Sequence, residues 1–212
     1  MADVDTKTPL LEVKNLVKHF PITRGITKRV IGAVKAVDDI SFSIEQGKTF
    51  ALVGESGSGK SVTALSVIQL LPAAARVTSG SINFDGTDLL TLPERDMRDV
   101  RGRGISMIFQ EPMTSLNPVV KVGLQISEVL IRHQDMTKAQ ARQRALDLLN
   151  AVKIPKPSYT IDTYAHELSG GMRQRVMIAI ALACEHKLLI ADWAFVWLSG
   201  VPNPSRIIHL EE

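Results

Sequence analysis

The sequence predicts an α/β fold in which a strand, a glycine-rich loop and a helix follow one another in the N-terminal half. The loop, GESGSGKS at 54–61, satisfies every fixed position of the phosphate-binding pattern G-x-x-x-x-G-K-[ST]. Residues 48–53 form a short apolar run typical of a buried strand, and residues 61–71 have the composition of a helix. Alternating apolar segments before this unit predict further strands, and a helical segment follows it.

The loop has the chemistry of a nucleoside triphosphate site. Glycines let successive backbone N–H groups curl around a phosphate next to the positive end of a helix. Lys60 is expected to reach phosphate oxygens, and the Ser61 hydroxyl to ligate Mg²⁺. A glycine-rich turn that matches the pattern by chance is the alternative. The loop residues assigned to nucleotide binding are Gly54, Glu55, Ser56, Gly57, Ser58, Gly59, Lys60 and Ser61.

Composition limits the class of protein. The chain has 212 residues, of which 45% are hydrophobic and 22% charged, enough for one sizeable core with a small attached subdomain. Its single cysteine, Cys184, excludes a disulfide framework and a cysteine metal site within the chain. The formal charge of +3 is spread along the sequence, so no nucleic-acid partner is expected. We find neither a signal-type apolar core at the start nor an apolar run of the ~20 residues that a membrane span needs.

Two alternating segments precede the loop. Residues 10–20 and 36–44 both alternate between apolar and polar side chains, which predicts two antiparallel edge strands. The basic segment 21–34 between them is interpreted as an extended hairpin loop. Phe20, at the end of the first strand, has two interpretations: an aromatic ring that stacks on a purine, or an ordinary half-buried strand residue.

A second apolar strand is predicted at 105–109, and it ends at Gln110. The following turn-rich segment, 111–118, breaks the regular structure. An amide at the end of a buried strand can ligate Mg²⁺ or position a water, but a glutamine there can also be without special meaning.

The pattern then changes to helix over 119–152. Thr137 and Gln140 form a predicted capping box, and an apolar stripe recurs at helical spacing through Ala145 and Leu148. This segment is predicted to be a small helical subdomain inserted into the sheet domain.

The segment LSGGMRQR, 168–175, is the second informative stretch. Ser169, Gly170 and Gly171 stand where a helix is predicted to begin, so unpaired N–H groups there suit a γ-phosphate. A simple serine cap followed by flexible glycines explains the same residues equally well.

These motifs carry a resemblance to a known family. The loop at 54–61, Phe109–Gln110, LSGGMRQR and the apolar strand 188–192 resemble, in order and spacing, the nucleotide-binding subunit of ABC transporters. Within that family, segments 109–118 and 168–184 resemble the ATP-binding subunits of bacterial dipeptide and oligopeptide importers. The resemblance covers about residues 10 to 192.

The resemblance implies a phosphate-loop NTPase fold of the ABC ATPase type, with an N-terminal antiparallel β-subdomain and an inserted α-helical subdomain. The nucleotide-binding core would comprise residues 10–112 and 165–192, and the helical subdomain residues 113–164. Residues 193–212 would be an aberrant tail, left by a frameshift, premature stop or rearrangement, so that the fold is C-terminally incomplete.

The resemblance also implies roles and partners. Phe20 would stack on adenine, while Gln110 and Asp192 would join Ser61 at Mg²⁺. Ser169, Gly170 and Gly171 would meet ATP across a head-to-tail dimer with a second ATPase subunit. The remaining partners would be transmembrane permease subunits and, indirectly, an extracytoplasmic peptide-binding protein. The expected location is peripheral, at the cytoplasmic face of the bacterial inner membrane.

The sequence departs from the family after Asp192. A water-polarising glutamate should follow at once, but Trp193 stands there, and general-base assistance is typically worth 10²–10⁴-fold in rate. His209 superficially resembles the family's switch histidine, yet the sixteen intervening residues leave no room for the usual helix. Hydrolysis is therefore expected to be deficient.

One alternative function stays open, a non-hydrolysing nucleotide-binding remnant or regulatory subunit. A DNA-repair or chromosome-maintenance ATPase of related sequence is excluded, because Ser169 follows Lys60 by 109 residues with no cysteine pair between them, which leaves no place for the long coiled coil or zinc module of that class.

Overall fold

The computed structural model describes residues 8–24, 29–72, 77–109, 115–184 and 186–192, and the backbone of residues 207–211. The chain divides into two compact units, residues 1–97 with 210–212 and residues 98–209. The strands are β1 (Leu11–Arg24), β2 (Arg29–Ile44), β3 (Phe50–Val53), β4 (Ser79–Phe84), β5 (Thr87–Asp88), β6 (Ile105–Ile108), β7 (Leu188–Asp192) and β8 (Ile207–Glu211). The helices are α1 (Lys60–Val67), α2 (Glu94–Asp99), α3 (Val122–Gln134), α4 (Lys138–Ala151), α5 (Pro157–Thr160) and α6 (Gly170–Ala181).

The first unit is built on an antiparallel sheet with the strand order β2-β1-β4-β5. Leu11 pairs with Ile44 on one side and Phe84 on the other, so β1 is central at this end of the sheet. Its inward-facing residues Leu11, Val13 and Leu16 are almost completely buried. The predicted antiparallel β-subdomain is therefore confirmed, but the prediction that β1 is an edge strand was wrong, because β4 pairs with its second side.

The segment predicted as an extended hairpin loop, 21–34, is mostly strand. β1 continues to Arg24 and β2 begins at Arg29, so the described residues of this segment, 21–24 and 29–34, are all strand. The β-branched residues Ile22, Val30 and Ile31 favour extended backbone, and irregularities in the register absorb the mismatch between the strands. The loop interpretation was wrong because it gave the charge of the segment more weight than its β propensity.

The strand and helix on either side of the phosphate loop form as predicted, but with different burial and length. Phe50 stacks on Phe42 of β2 with ring centroids 5.0 Å apart, whereas Val53 on the alternate face is 65% exposed. β3 is therefore covered on one face only, and the expectation of a fully buried strand was wrong. α1 ends at Val67, and Gln69 then adopts a left-handed backbone conformation that stops the helix short of residue 71.

The second unit contains a parallel strand pair and a group of helices. β6 and β7 run parallel, with Ile105 opposite Leu188 and Ile108 opposite Ala191. All four of these residues are buried. The apolar strands that the sequence predicted at 105–109 and 188–192 are thus present.

The helices of the second unit surround an apolar cluster. Ile126 and Leu130 of α3 and Leu149 of α4 are fully buried, together with Val176 and Ala179 of α6. The predicted capping box begins α4.

In that box, the Thr137 hydroxyl oxygen accepts a hydrogen bond from the Gln140 N–H, and the Gln140 side chain accepts one from the Thr137 N–H at 3.0 Å. The inserted helical subdomain is confirmed as a set of packed helices. Its predicted boundaries, 113 and 164, remain a prediction.

Candidate nucleotide-binding site

The phosphate loop joins β3 to α1, and two of its glycines have backbones that other residues rarely adopt. Gly57 has φ +80° and Gly59 has φ +92°. A Cβ on Gly59 would collide with the carbonyl oxygen of Ala36 in β2, whereas a Cβ on Gly57 would meet nothing within 4 Å. Gly59 is therefore required both by its conformation and by the close approach of another strand.

The ammonium group of Lys60 lies inside the loop. It donates hydrogen bonds to the carbonyl oxygens of Gly54 at 2.5 Å and Glu55 at 3.0 Å, and it lies 3.4 Å from the Ser58 hydroxyl. The Ser58 N–H donates to the Glu55 carbonyl at 3.1 Å, which closes the turn. The loop thus forms a ring of backbone around a single positive charge, an arrangement that fits a phosphate group.

α1 begins directly at the end of the same loop. Gly59 is the N-cap, and no side chain caps the helix there. Lys60 and Ser61 occupy the first turn, where the helix dipole is positive and favours an anion. Thr63 holds this end in place, since its hydroxyl donates to the Gly59 carbonyl at 3.0 Å.

Phe20 lies on β1, in the same unit as the loop. It pairs across the hairpin with Val34, two residues from Ala36, whose carbonyl faces Gly59. The ammonium of Lys18 sits 4.6 Å from the centre of the Phe20 ring, in the range of a cation–π contact.

Lys18 is only 2% exposed and donates to the His19 carbonyl at 2.9 Å. Burial lowers the pKa of Lys18 from its usual value. One face of the Phe20 ring is therefore backed by a buried amine.

Two of these contacts were not foreseen from the sequence. Lys18 precedes Phe20 by two residues on the same strand, and side chains two residues apart on a strand lie on the same face of the sheet. That signal was available. The contact between Ala36 and Gly59 was not, because it joins segments whose approach depends on the register of β1 and β2.

In the second unit, Ser169 caps α6. Its hydroxyl oxygen accepts a hydrogen bond from the Met172 N–H at 3.3 Å, as the serine-cap interpretation predicts. Gly170 and Gly171 form the first turn, are exposed, and have room for a Cβ, with nothing within 4 Å. Nothing in the described part of this chain therefore requires glycine at 170 or 171.

Asp192 is the last residue of β7. The parallel register with β6 places it at the carboxyl end of the strand pair, the end at which Phe109 follows β6. Gln110, the expected Mg²⁺ and Q-loop residue, lies outside the described residues, as does Trp193. His209 lies in β8, of which only the backbone is described. Among the described residues no group of three or more acidic, histidine or cysteine side chains could hold a metal by itself.

The family model described as "ABC transporter" matches residues 37–196, which include the phosphate loop, the α6 cap and Asp192. The chain belongs to the ABC transporter family. Solved ABC cassettes share its fold.

A post-hydrolysis dimer of the ATP-binding cassette MJ0796 with ADP and Pi matches with a TM-score of 0.79 at 23% identity, over 95% of this chain and 88% of that one. Another neighbour, cbiO1 from Clostridium perfringens, matches with a TM-score of 0.71 at 22% identity, over 96% of this chain and 78% of that one. The predicted ABC ATPase fold class is therefore confirmed.

Curated members of the ABC family are much closer in sequence. The oligopeptide transport ATP-binding protein OppD of Bacillus subtilis is 50% identical over 87% of this chain and 50% of its own length. OppD of Escherichia coli is 53% identical over 86% of this chain and 52% of its own length. The peptidoglycan transport ATP-binding protein YejF of Agrobacterium fabrum is 55% identical over 91% of this chain and 34% of its own length.

The chain thus spans about half the length, or less, of these curated relatives. The suspected resemblance to ATP-binding subunits of the peptide-importer type is confirmed at the level of sequence similarity. Across the part of this ABC chain that the structure describes, we find no helix with the length and apolar character of a membrane span.

Proposed function

We propose that the chain is the ATP-binding subunit of an ABC importer for peptides or peptide-containing solutes. The observation that carries the proposal is the phosphate loop, in which Lys60 is enclosed by the loop carbonyls beside the uncapped start of α1. The substrate class follows from similarity to relatives named for oligopeptide, dipeptide and peptidoglycan transport. Peptide bonds are the feature common to those names.

The proposed cofactors are ATP and Mg²⁺. When bound, Mg²⁺ supplies a positive charge that stabilises charge on the transferring phosphate. Ser61 would ligate it from the first turn of α1, and Gln110 and Asp192 are the further ligands that the family resemblance implies. Phe20, backed by Lys18, would present its other ring face to adenine.

We further propose that the chain acts with a second ATPase subunit and transmembrane permease subunits, and indirectly with an extracytoplasmic peptide-binding protein. It would lie peripherally at the cytoplasmic face of the bacterial membrane. The exposed pair Gly170–Gly171 supports an approach by another chain, since glycines that their own fold does not require leave space for an outside surface. The subdomain boundaries 113 and 164 are part of the same proposal.

The proposed activity has one restriction: this chain hydrolyses ATP poorly. Trp193 follows Asp192 where a carboxylate would polarise the attacking water, and an indole has no basic oxygen or nitrogen to take that proton. We propose that residues 193–212 are unrelated to the family's usual continuation, so that His209 does not serve as the switch histidine. A non-hydrolysing regulatory subunit is the second candidate, and Trp193 is the observation that favours it.

One paired measurement tests the proposal. Equilibrium binding of Mg·ATP to the purified chain and phosphate release with permease present are measured on the same preparation. We expect binding together with phosphate release at least 100-fold below an ordinary ABC ATPase, from the 10²–10⁴-fold worth of a general base. Turnover at ordinary enzyme rates contradicts the role given to Trp193, and absence of binding contradicts the function itself.

The matched variants are Lys60→Ala and Lys48→Ala. Lys60→Ala removes a charge-assisted contact worth about 1.5–3 kcal/mol, so ATP should bind about 10- to 100-fold more weakly. Lys48 is an exposed lysine just before β3, and its removal should leave the affinity unchanged. Equal affinities for all three proteins would show that the nucleotide does not use the loop.

A further inference from the structure

The distal half of the β1–β2 hairpin stands out in the first unit. β4 pairs with β1 only as far as Val17, opposite Ser79, whereas β1 and β2 continue together to Arg24 and Arg29. Beyond Val17 the described residues therefore form a ribbon of two strands. We call residues 21–24 and 29–34 the distal hairpin.

The distal hairpin exposes large apolar side chains. Ile22 is 45% exposed, Val34 55%, Ile31 59% and Val30 61%. Four neighbouring side chains of this size are more than the scattered single apolar residues of an ordinary surface. Such a surface is typical of a docking site rather than of a solvated arm.

The apolar side chains lie on both faces of the ribbon. Directly opposed residues share a face, so Phe20 with Val34 and Ile22 with Gly32 lie on one side. The approach of Ile22 Cδ1 to within 3.8 Å of a Cβ built on Gly32 agrees with that assignment. Val30, opposite Thr23, lies on the other face. A protein partner that packs on one face of a ribbon leaves the second face in water, whereas a membrane interface surrounds both.

The charge of the distal hairpin is entirely positive. No acidic residue occurs between Phe20 and Val37. Arg24 and Arg29 are directly opposed across the last described pair, and like charges in that position are destabilising. Lys35 nearby is already paired with Asp38 at 3.0 Å, so among the described residues of the hairpin Arg24 and Arg29 are the cations available to an outside anion.

We propose that the distal hairpin docks on the anionic headgroup layer of a lipid membrane, with Ile22, Val30 and Ile31 at the boundary of the acyl chains and Arg24 and Arg29 among the phosphates. Backbone groups along the unpaired strand edges need water or headgroup partners, which limits the depth to the interface. Apolar burial and attraction to anionic lipid act together in such binding. None of these five residues is proposed to contact nucleotide, and the vesicle test needs no ATP, so its failure leaves the proposed ATP function untouched.

The test is co-sedimentation of the full chain with vesicles of phosphatidylcholine alone or mixed with phosphatidylglycerol. We expect binding to the mixed vesicles and little to the neutral ones, and weaker binding as salt is raised. Arg24→Gln with Arg29→Gln should reduce partitioning about 30-fold, at about fivefold for each cation near an anionic surface. Ile22→Ser with Val30→Ser should reduce partitioning about tenfold, at low salt and at high salt alike.

The matched control is Lys138→Gln with Arg144→Gln, which removes the same charge from exposed positions on α4. It should bind vesicles as the unchanged chain does, and thermal unfolding of every variant checks that the fold is kept. The proposal is overturned if the chain ignores anionic vesicles, or if the control loses binding as strongly as the arginine variant. If the chain does not bind vesicles but self-associates, and Ile22→Ser with Val30→Ser abolishes the self-association, the ribbon contacts a second copy of the chain. That result would also overturn the proposal.

Discussion

At the scale of single residues, the structure gives a reason why the sequence pattern fixes Gly59 but leaves the position of Gly57 variable. Gly57 and Gly59 both have a left-handed backbone, which costs a residue with a side chain roughly 1–2 kcal/mol. Only Gly59 also faces a neighbouring backbone, the Ala36 carbonyl, which cannot move aside as a flexible side chain would. The two positions therefore separate conformational strain from steric exclusion.

We expect Gly57→Ala to lower the free energy of unfolding by about 1 kcal/mol and Gly59→Ala by about 3 kcal/mol, because overpacking adds to the strain. Denaturant unfolding of the two variants beside the unchanged chain measures the difference. Nucleotide affinity should fall more for Gly59→Ala, since β2 must shift from the loop. Equal losses of stability would mean that the close approach of Ala36 has no energetic consequence.

The same residues show how far the sequence predicts the site. The spacing of Gly54, Lys60 and Ser61 was enough to place the loop and its helix, because that backbone geometry is local. Phe20 was placed at a strand end, but the buried amine of Lys18 behind its ring was not considered. The contact of Ala36 with Gly59 needs the registered pairing of two strands, which no local pattern specifies.

At the scale of elements, the end of α3 packs on the turn before β6. A Cβ on Gly102 would collide with the ring of His133, so the two segments touch without room for a side chain. The Nδ1 atom of His133 is buried and has no hydrogen-bond partner among the described residues. Burial, with the nearby charges of Arg132 and Arg103, lowers the pKa of His133, while Asp99 opposes that shift.

The direction of that shift predicts how stability depends on pH. Since the folded chain binds a proton at His133 less readily than the unfolded chain, stability should fall as pH drops below the ordinary histidine value of about 6.5. His133→Phe should reduce this loss between neutral and mildly acidic pH, which thermal unfolding at several pH values measures. His166→Phe, at an exposed position, is the control and should keep the original pH dependence. Identical pH profiles for the chain and His133→Phe would exclude His133 as the cause.

Element boundaries were predicted well where side chains act locally and poorly where strands pair at a distance. The Thr137 cap and the buried face of α4 follow from spacing within one helix. The length of the hairpin does not, because strand propensity and exposed charge point in opposite directions between residues 21 and 34. Pairing with the neighbouring strand decides the outcome there.

At the scale of the whole molecule, the proposed function needs a dimer, formed by two copies of this chain or by this chain and a related ATPase subunit. Each nucleotide would be held by the phosphate loop of one chain and the start of α6 of the other. Because hydrolysis is the step that reopens such a pair, a chain that hydrolyses poorly should remain closed once ATP is bound. We therefore expect Mg·ATP to convert the chain to a long-lived dimer, which light scattering after size-exclusion chromatography measures.

Two variants locate the halves of the shared site. Lys60→Ala weakens the phosphate loop, and Gly171→Gln places a side chain on the open first turn of α6. A Cβ built on Gly171 would meet nothing within 4 Å and the residue has no left-handed backbone, so Gly171→Gln should unfold like the unchanged chain. Neither variant alone should form the dimer with Mg·ATP.

A mixture of the two variants retains one intact site, made of the loop of the Gly171→Gln chain and the glycine turn of the Lys60→Ala chain. The mixture should therefore recover dimer while each variant alone stays monomeric, a result that a site contained within one chain cannot give. If Gly171→Gln dimerises as readily as the unchanged chain, the glycine turn does not meet the partner's nucleotide. The exposed glycines would then have no role in assembly, and the head-to-tail arrangement would be wrong.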